Sequence, residues 1–169
     1  MNNPLPNKKY KTIYADPPWN ETGGGEIRRG ADKHYNLLVD RDIKILPVSN
    51  ISDDDCWLFM WVTNNFLEEG LSTMKHWGFR YVTNLCWTKP TFGLGYYFRG
   101  QHEICLFGVR GKLKPKVKNE GTLITAPKER HSKKPNAFYD KIERVAYPPY
   151  IELFARQRRE GWDSWGNEI

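Results

Sequence analysis

Cysteine is scarce in this 169-residue chain: Cys56, Cys86 and Cys105 are an odd three, with no CxxC spacing. Each lies in an apolar, strand-like run. The reading is therefore reduced core thiols, with no metal site, rather than a disulfide framework. Long hydrophobic runs are missing too. None approaches the ~20 residues of a membrane span, and Met1-Asn2-Asn3-Pro4 opens no hydrophobic targeting segment. A cytoplasmic protein with no membrane partner is expected. The glycine motifs that cradle nucleotides are also lacking. Gly23-Gly24-Gly25 is not followed by the Lys-Ser/Thr of a P-loop, and Gly93-Leu94-Gly95 has no third glycine opening a helix. With no internal repeat, low-complexity tract or shift in composition, residues 1–169 are expected to form a single domain large enough to bury a core.

Acidic residues are outnumbered, 20 Asp and Glu against 26 Lys and Arg, for a formal charge of +6. That balance fits a polyanionic partner. Basic residues gather at Lys8 to Lys11, Arg28-Arg29 with Lys33, Lys128 to Lys134, and Arg156 to Arg159. Arg110, Lys112, Lys114, Lys116 and Lys118 recur at every second position. In an extended segment these five would share one side, as a comb for phosphates; the alternative is a solvated linker.

The pattern along the chain is that of an α/β protein. Strands are expected at Tyr10 to Ala15, Cys56 to Val62, Arg80 to Thr88, His102 to Val109, Leu123 to Thr125 and Tyr150 to Phe154. The second is almost continuously apolar, as a strand covered on both faces would be. A short helix is expected over residues 40–46, stopped by Pro47. Another begins at Asn64 or Asn65, with Phe66, Leu67, Leu71, Met74 and Trp77 on one side, Glu68 in a capping box with Asn65, and Gly78 as its stop. A third runs from Pro135 to Ala146 and buries Phe138, Ile142 and Val145. Strand–helix–strand alternation favours a parallel sheet. Residues 20–33, polar and glycine-rich, read as a lid. The loop from Lys89 to Gly100 interleaves aromatics with glycine and a base, and Tyr97 and Arg99 in it suit stacking on a nucleobase and gripping its phosphate.

Asp16-Pro17-Pro18-Trp19 ends the first strand in a rigid acidic turn, because two prolines fix φ and remove two backbone donors. In open α/β sheets ligands bind at such strand ends. The amino lone pair of adenine is delocalised into its ring, so the nitrogen is a poor nucleophile until acceptors hold its N–H groups. Asp16 and the Pro17 carbonyl offer two acceptors, and Trp19 offers a ring for a flipped base. This suits methyl transfer to an exocyclic amine. The alternative is an ordinary acidic turn over a core tryptophan.

The four-residue turn resembles the catalytic motif of the MT-A70 family of S-adenosylmethionine-dependent adenine-N6 methyltransferases. The likeness continues at Cys56 to Thr63, Trp87-Thr88-Lys89, His102-Glu103 to Gly111, His131 to Pro135, Glu152 to Arg156 and Gly166-Asn167-Glu168. The resemblance implies a Rossmann-like, mostly parallel sheet flanked by helices, in the permuted beta-class order with the catalytic strand first. It implies catalysis at Asp16, Pro17, Pro18 and Trp19, and S-adenosylmethionine held by Asp16, Ser132, Lys134, Phe154, Arg156, Asn167 and Glu168, with His131 a weaker candidate. Lys134 would anchor the methionyl carboxylate, Phe154 flank the adenine, and Arg156 and Asn167 bond the ribose. Substrate contacts fall on Trp19, Tyr35, Tyr97, Arg99, Glu103, Lys112, Lys114 and Lys116, with Glu103 either lining the pocket or forming a structural ion pair. DNA is the preferred nucleic acid and RNA the alternative. A homodimer, a heteromeric partner, or a catalytically idle subunit supporting an active one stays open, as does transfer to cytosine N4 or a small amine.

Overall fold

A computed structural model describes residues 4–19, 40–128, 133–167 and 169. Its frame is a seven-stranded sheet in the order β5-β3-β4-β2-β1-β6-β7. The strands are β1 (Tyr10–Ala15), β2 (Ser52–Val62), β3 (Arg80–Thr88), β4 (His102–Arg110), β5 (Leu123–Thr125), β6 (Tyr150–Leu153) and β7 (Trp162–Trp165). β1 pairs in parallel with both β2 and β6, β6 with β7, and β3 with β5. β4 alone runs antiparallel, inserted between β2 and β3. The result is a Rossmann-like, mostly parallel sheet with the acidic-turn strand near its middle.

Alternation along the central strands explains why both faces are buried. Cys56, Leu58, Met60 and Val62 of β2 join Ile13 and Ala15 in one core cluster. Trp57, Phe59 and Trp61 join Tyr14 in the other. The first cluster is covered by α1 (Asp40–Lys44) and α2 (Leu67–His76) through Ile43 and Met74, with Trp77 just past the end of α2. The second is covered by α3 (Asn136–Val145) through Phe138, Tyr139 and Ile142.

Four expectations need correction. α2 is preceded by a 3-10 turn at Asn64–Phe66 and has no side-chain cap, so the Asn65–Glu68 capping box does not form. Its buried face is Gly70, Thr73 and Met74, while Leu67 and Leu71 lie on the exposed flank. Gly70 sets that rotation. A Cβ there would stand 2.3 Å from Val62 Cγ1, so the helix lies closer to β2 than any larger residue permits. In α3 the partly buried Val145 gives way to a buried Lys141, whose ammonium reaches the Gly121 carbonyl at 2.6 Å. Finally, the strand expected over Tyr150 to Phe154 ends at Leu153, and a further strand, β7, follows it on the sheet edge.

The chain leaves β1 toward β2 on one side, while β6 and β7 occupy the other. The strand order therefore reverses at β1, and a crevice is expected just outside its carboxyl end.

Candidate active site

That crevice is present as a cavity of about 420 Å³. Its described walls are the ends of the elements the topology predicts. The turn after β1 supplies Asp16, Pro17, Pro18 and Trp19, and the end of β2 and the chain beyond it supply Trp61 to Asn65. The start of β4 gives His102 and Glu103, the exit of β6 gives Arg156, and the segments around α3 give Lys128 and Lys134. The acidic turn, Lys134 and Arg156 thus meet around one space.

Charges alternate along one wall. Lys134 Nζ lies 3.0 Å from Asp16 Oδ2 and 3.5 Å from Glu103 Oε2. Lys89 Nζ holds the other oxygen of Glu103. Each ammonium also sits over an indole, Lys134 at 5.0 Å from the Trp61 ring centre and Lys89 at 4.5 Å from that of Trp87. Burial opposes the charge on Lys134, but Asp16 and Glu103 outweigh it and hold the ammonium above its ordinary range. Burial likewise opposes the charge on Glu103, and the two lysines outweigh it and hold that carboxyl below its ordinary range. The pocket-lining and ion-pair readings of Glu103 are both met.

The turn itself is braced from behind. Trp19 N–H donates to the Pro17 carbonyl at 2.9 Å, leaving that oxygen's second lone pair for another donor. The Trp19 indole N–H donates to the Trp61 carbonyl at 2.9 Å, and its ring stacks on Phe66 at 5.8 Å. Only 4% of Trp19 is exposed. Its indole is therefore largely a core group: the ring rests on Phe66, and although the residue contributes to the cavity wall, little of it is left for stacking on a base. Asp16, in contrast, faces the cavity.

Phe154 is also in the core, edge-on to Trp165 at 5.6 Å and absent from the described cavity wall. Its backbone φ of 63° lies in the left-handed region that a non-glycine residue rarely adopts. This bend turns the chain out of β6 ahead of Arg156. Asn167 stands exposed beyond β7 at the same end of the sheet, held close because Gly166 packs on Ala155, whose carbonyl oxygen an added Cβ would meet at 2.2 Å. Tyr35, His131, Ser132 and Glu168 lie outside the described residues.

The basic comb is at the wrong end. β4 starts beside the cavity and carries the chain across the sheet, so Lys112, Lys114 and Lys116 follow its far end, roughly 25 Å away at ~3.3 Å per residue. The segment turns after Arg110 instead of staying extended, and Lys116 folds onto the Glu143 carbonyl and the Tyr150 hydroxyl. Tyr97 and Arg99 are better placed, on the β3–β4 loop at the cavity end. Arg99 Nε, however, donates to the Gly93 carbonyl at 3.0 Å, bracing its own loop.

Sequence reasoning missed Trp61, Thr63, Asn64, Asn65, His102 and Lys128 as wall residues and Lys89 as the partner of Glu103. The position of residues 63–65, directly after a central buried strand, is a signal that would have found them. Thr63 is notable because its hydroxyl is buried with no partner among the described residues. Nothing local in the sequence pairs Lys89 with a carboxylate fourteen positions on; that follows from the β3–β4 register.

The MT-A70 family model matches residues 10–168. Among curated proteins, the Type II methyltransferase M.MunI of Mycoplasma is 36% identical over 98% of this chain and 80% of its own length. The human N(6)-adenosine-methyltransferase catalytic subunit METTL3 is 30% identical over 95% of this chain, and an Arabidopsis thaliana N(6)-adenosine-methyltransferase MT-A70-like protein 28% identical over the same share. The chain spans only about a quarter of the length of these last two, 28% and 24%.

Proposed function

The chain belongs to the MT-A70 family of methyltransferases, and from that premise we propose that it methylates the N6 amino group of adenine in DNA. The observation that carries the reading is the shared cavity of Asp16, Pro17, Lys134 and Arg156. Its donor set fits S-adenosylmethionine. Asp16 would take the methionyl ammonium or the substrate amine, Lys134 the carboxylate, Arg156 a ribose hydroxyl, and the unpartnered Thr63 hydroxyl a further polar atom. Its size is that of ordinary small-molecule sites.

When bound, the cofactor supplies an electrophilic methyl on a sulfonium. The chain's own work is positioning and electrostatics. Asp16 accepts one N–H of the adenine amine and the free lone pair of the Pro17 carbonyl accepts the other, drawing the nitrogen lone pair out of conjugation. Positive charge that develops on N6 during transfer would be stabilised by the Asp16 carboxylate, and the surplus amine proton would pass to that carboxylate or to water. Lys134 keeps Asp16 aimed through their ion pair, with Glu103 and Lys89 holding Lys134 in turn. Trp19 fixes the turn through Trp61 rather than touching the base. Tyr35 is kept as the ring that holds the base.

DNA is preferred over RNA because the alignment reaches most of a type II methyltransferase but only about a quarter of the N(6)-adenosine enzymes. Mass spectrometry of nucleosides after incubation with single-stranded DNA, duplex DNA and RNA tests the reading. N6-methyladenine in DNA is the expected product, and its appearance only in RNA reverses the substrate assignment. Absence of any product together with no calorimetric heat on adding S-adenosylmethionine marks the chain as an idle subunit.

A further inference from the structure

The β3–β4 loop carries a patch that the methyl-transfer chemistry does not use. Leu94 is 77% exposed, Tyr96 94%, Tyr97 88% and Phe98 91%. Four consecutive-turn apolar side chains bared to this degree are not ordinary surface. They are also held in place. Lys89 N–H donates to the Gln101 carbonyl at 2.7 Å, Gly93 N–H to the Gly100 carbonyl at 2.7 Å, and Gly100 N–H to the Leu94 carbonyl at 3.3 Å. Arg99 bonds Gly93 and covers Phe92, its guanidinium carbon 5.4 Å from the ring centre. At the tip, a Cβ on Gly95 would stand 1.8 Å from the Phe98 carbonyl oxygen, so only glycine permits so tight a fold. The loop is a braced projection whose own side chains point away from the body.

Its root is the cavity wall. The two strands it joins end at Thr88 and begin at His102, which pair, and His102 and Glu103 line the cavity while Lys89 binds Glu103. The projection is thus rooted at the cavity wall. A base in a duplex reaches such a cavity only after leaving the stack, at a cost of a few kcal/mol, and apolar side chains inserted at the step offset that cost. Resting on the methyltransferase reading, we propose that the β3–β4 loop is a duplex-opening wedge: Leu94, Tyr96, Tyr97 and Phe98 enter the base stack and fill the gap left by the target adenine. The occupant is duplex DNA rather than a second copy of the chain. Arg99 lies within the loop, Lys89 at its root and Lys128 on the adjoining cavity wall of a +6 chain, charges that a polyanion neutralises and a second copy does not.

A circular single-stranded phage genome and its double-stranded form share one sequence and separate the cost of opening from that of methylation. The combined variant Leu94→Ser, Tyr96→Ser, Phe98→Ser is expected to slow methylation of the duplex at least thirtyfold and that of the single strand less than threefold. Independently of any methyl donor, the wild-type protein is expected to raise permanganate oxidation of thymines in the duplex, where adenines have left their partners, and the variant to lose that effect. Equal losses on both forms, no loss on either, or no permanganate enhancement by the wild type overturns the wedge. Loss of a dimer in light scattering together with equal loss on both forms assigns the patch to a second copy instead. Failure of the wild type to methylate either DNA form, with permanganate enhancement intact, counts against the methylation reading and not against the wedge.

Discussion

Glu152 offers a quantitative test of the core behind the site. It sits on β6 between Tyr14 of β1 and Ser164 of β7 and is 6% exposed. One carboxylate oxygen accepts the Tyr139 hydroxyl at 2.9 Å; the other is buried with no partner among the described residues. Burial pushes this carboxyl from an ordinary 4.5 up to about 7, the Tyr139 bond opposing and the charge of Asp16 reinforcing the shift. An acid whose folded value is raised stabilises the protein fully below its unfolded value, and that contribution is lost as pH rises through the folded one. At ~1.36 kcal/mol per pH unit, the loss between pH 5 and pH 7.5 comes to about 2 kcal/mol. Glu152→Gln keeps an acceptor for Tyr139 and cannot ionise. Urea denaturation of both proteins at the two pH values should therefore show the variant gaining about 2 kcal/mol on the wild type from the lower pH to the higher. A stability gap that stays constant within about 0.5 kcal/mol across that range would refute the reasoning, because the carboxyl would then titrate as an exposed one does.

Other perturbations read separate parts of the account. Trp19→Phe removes the bond to the Trp61 carbonyl and should cost about 1–2 kcal/mol in denaturation, while leaving KM for DNA within threefold; a large rise in KM would restore the indole as a base-stacking group. Gly70→Ala drives a Cβ into a β-branched strand residue and should cost about 1–3 kcal/mol, whereas Gly108→Ala meets the flexible end of Met74 at 2.7 Å and should cost less; equal costs would contradict the close approach of α2. Lys89→Met leaves Glu103 to Lys134 alone. It should lower kcat several-fold with S-adenosylmethionine affinity within threefold, measured by steady-state kinetics and calorimetry, and an unchanged kcat would remove Lys89 from the positioning chain.

Much of this was legible because strong local signals agreed with the fold. Tyr10–Ala15, Arg80–Thr88 and Leu123–Thr125 have the boundaries their β-branched and aromatic content suggests, and two prolines had to end the first strand. β7 escaped notice because Trp162-Asp163-Ser164-Trp165 buries its ends rather than alternate residues and follows an arginine-rich segment. The face of α2 was misjudged because a leucine count ignores what Gly70 makes possible. At the site, the residue types at Asp16, Lys134 and Arg156 were legible, while the fate of the two aromatics was not. How much of Trp19 and Phe154 is left for a cavity depends on the neighbours that reach them, Phe66 and Trp165, and these come from elsewhere in the chain. The lysine comb failed for a related reason. Period-two spacing puts residues on one side only while the strand lasts, and β4 ends at Arg110.

The most direct test is Asp16→Ala, with N6-methyladenine in DNA measured by mass spectrometry and S-adenosylmethionine binding by calorimetry on the same preparation. The variant keeps Lys134 beside Glu103, so it should still bind the cofactor within about tenfold of wild type, roughly 1.4 kcal/mol, while product formation falls by at least a thousandfold. Product formation near the wild-type rate would contradict the assignment of the amine-holding carboxylate to this turn.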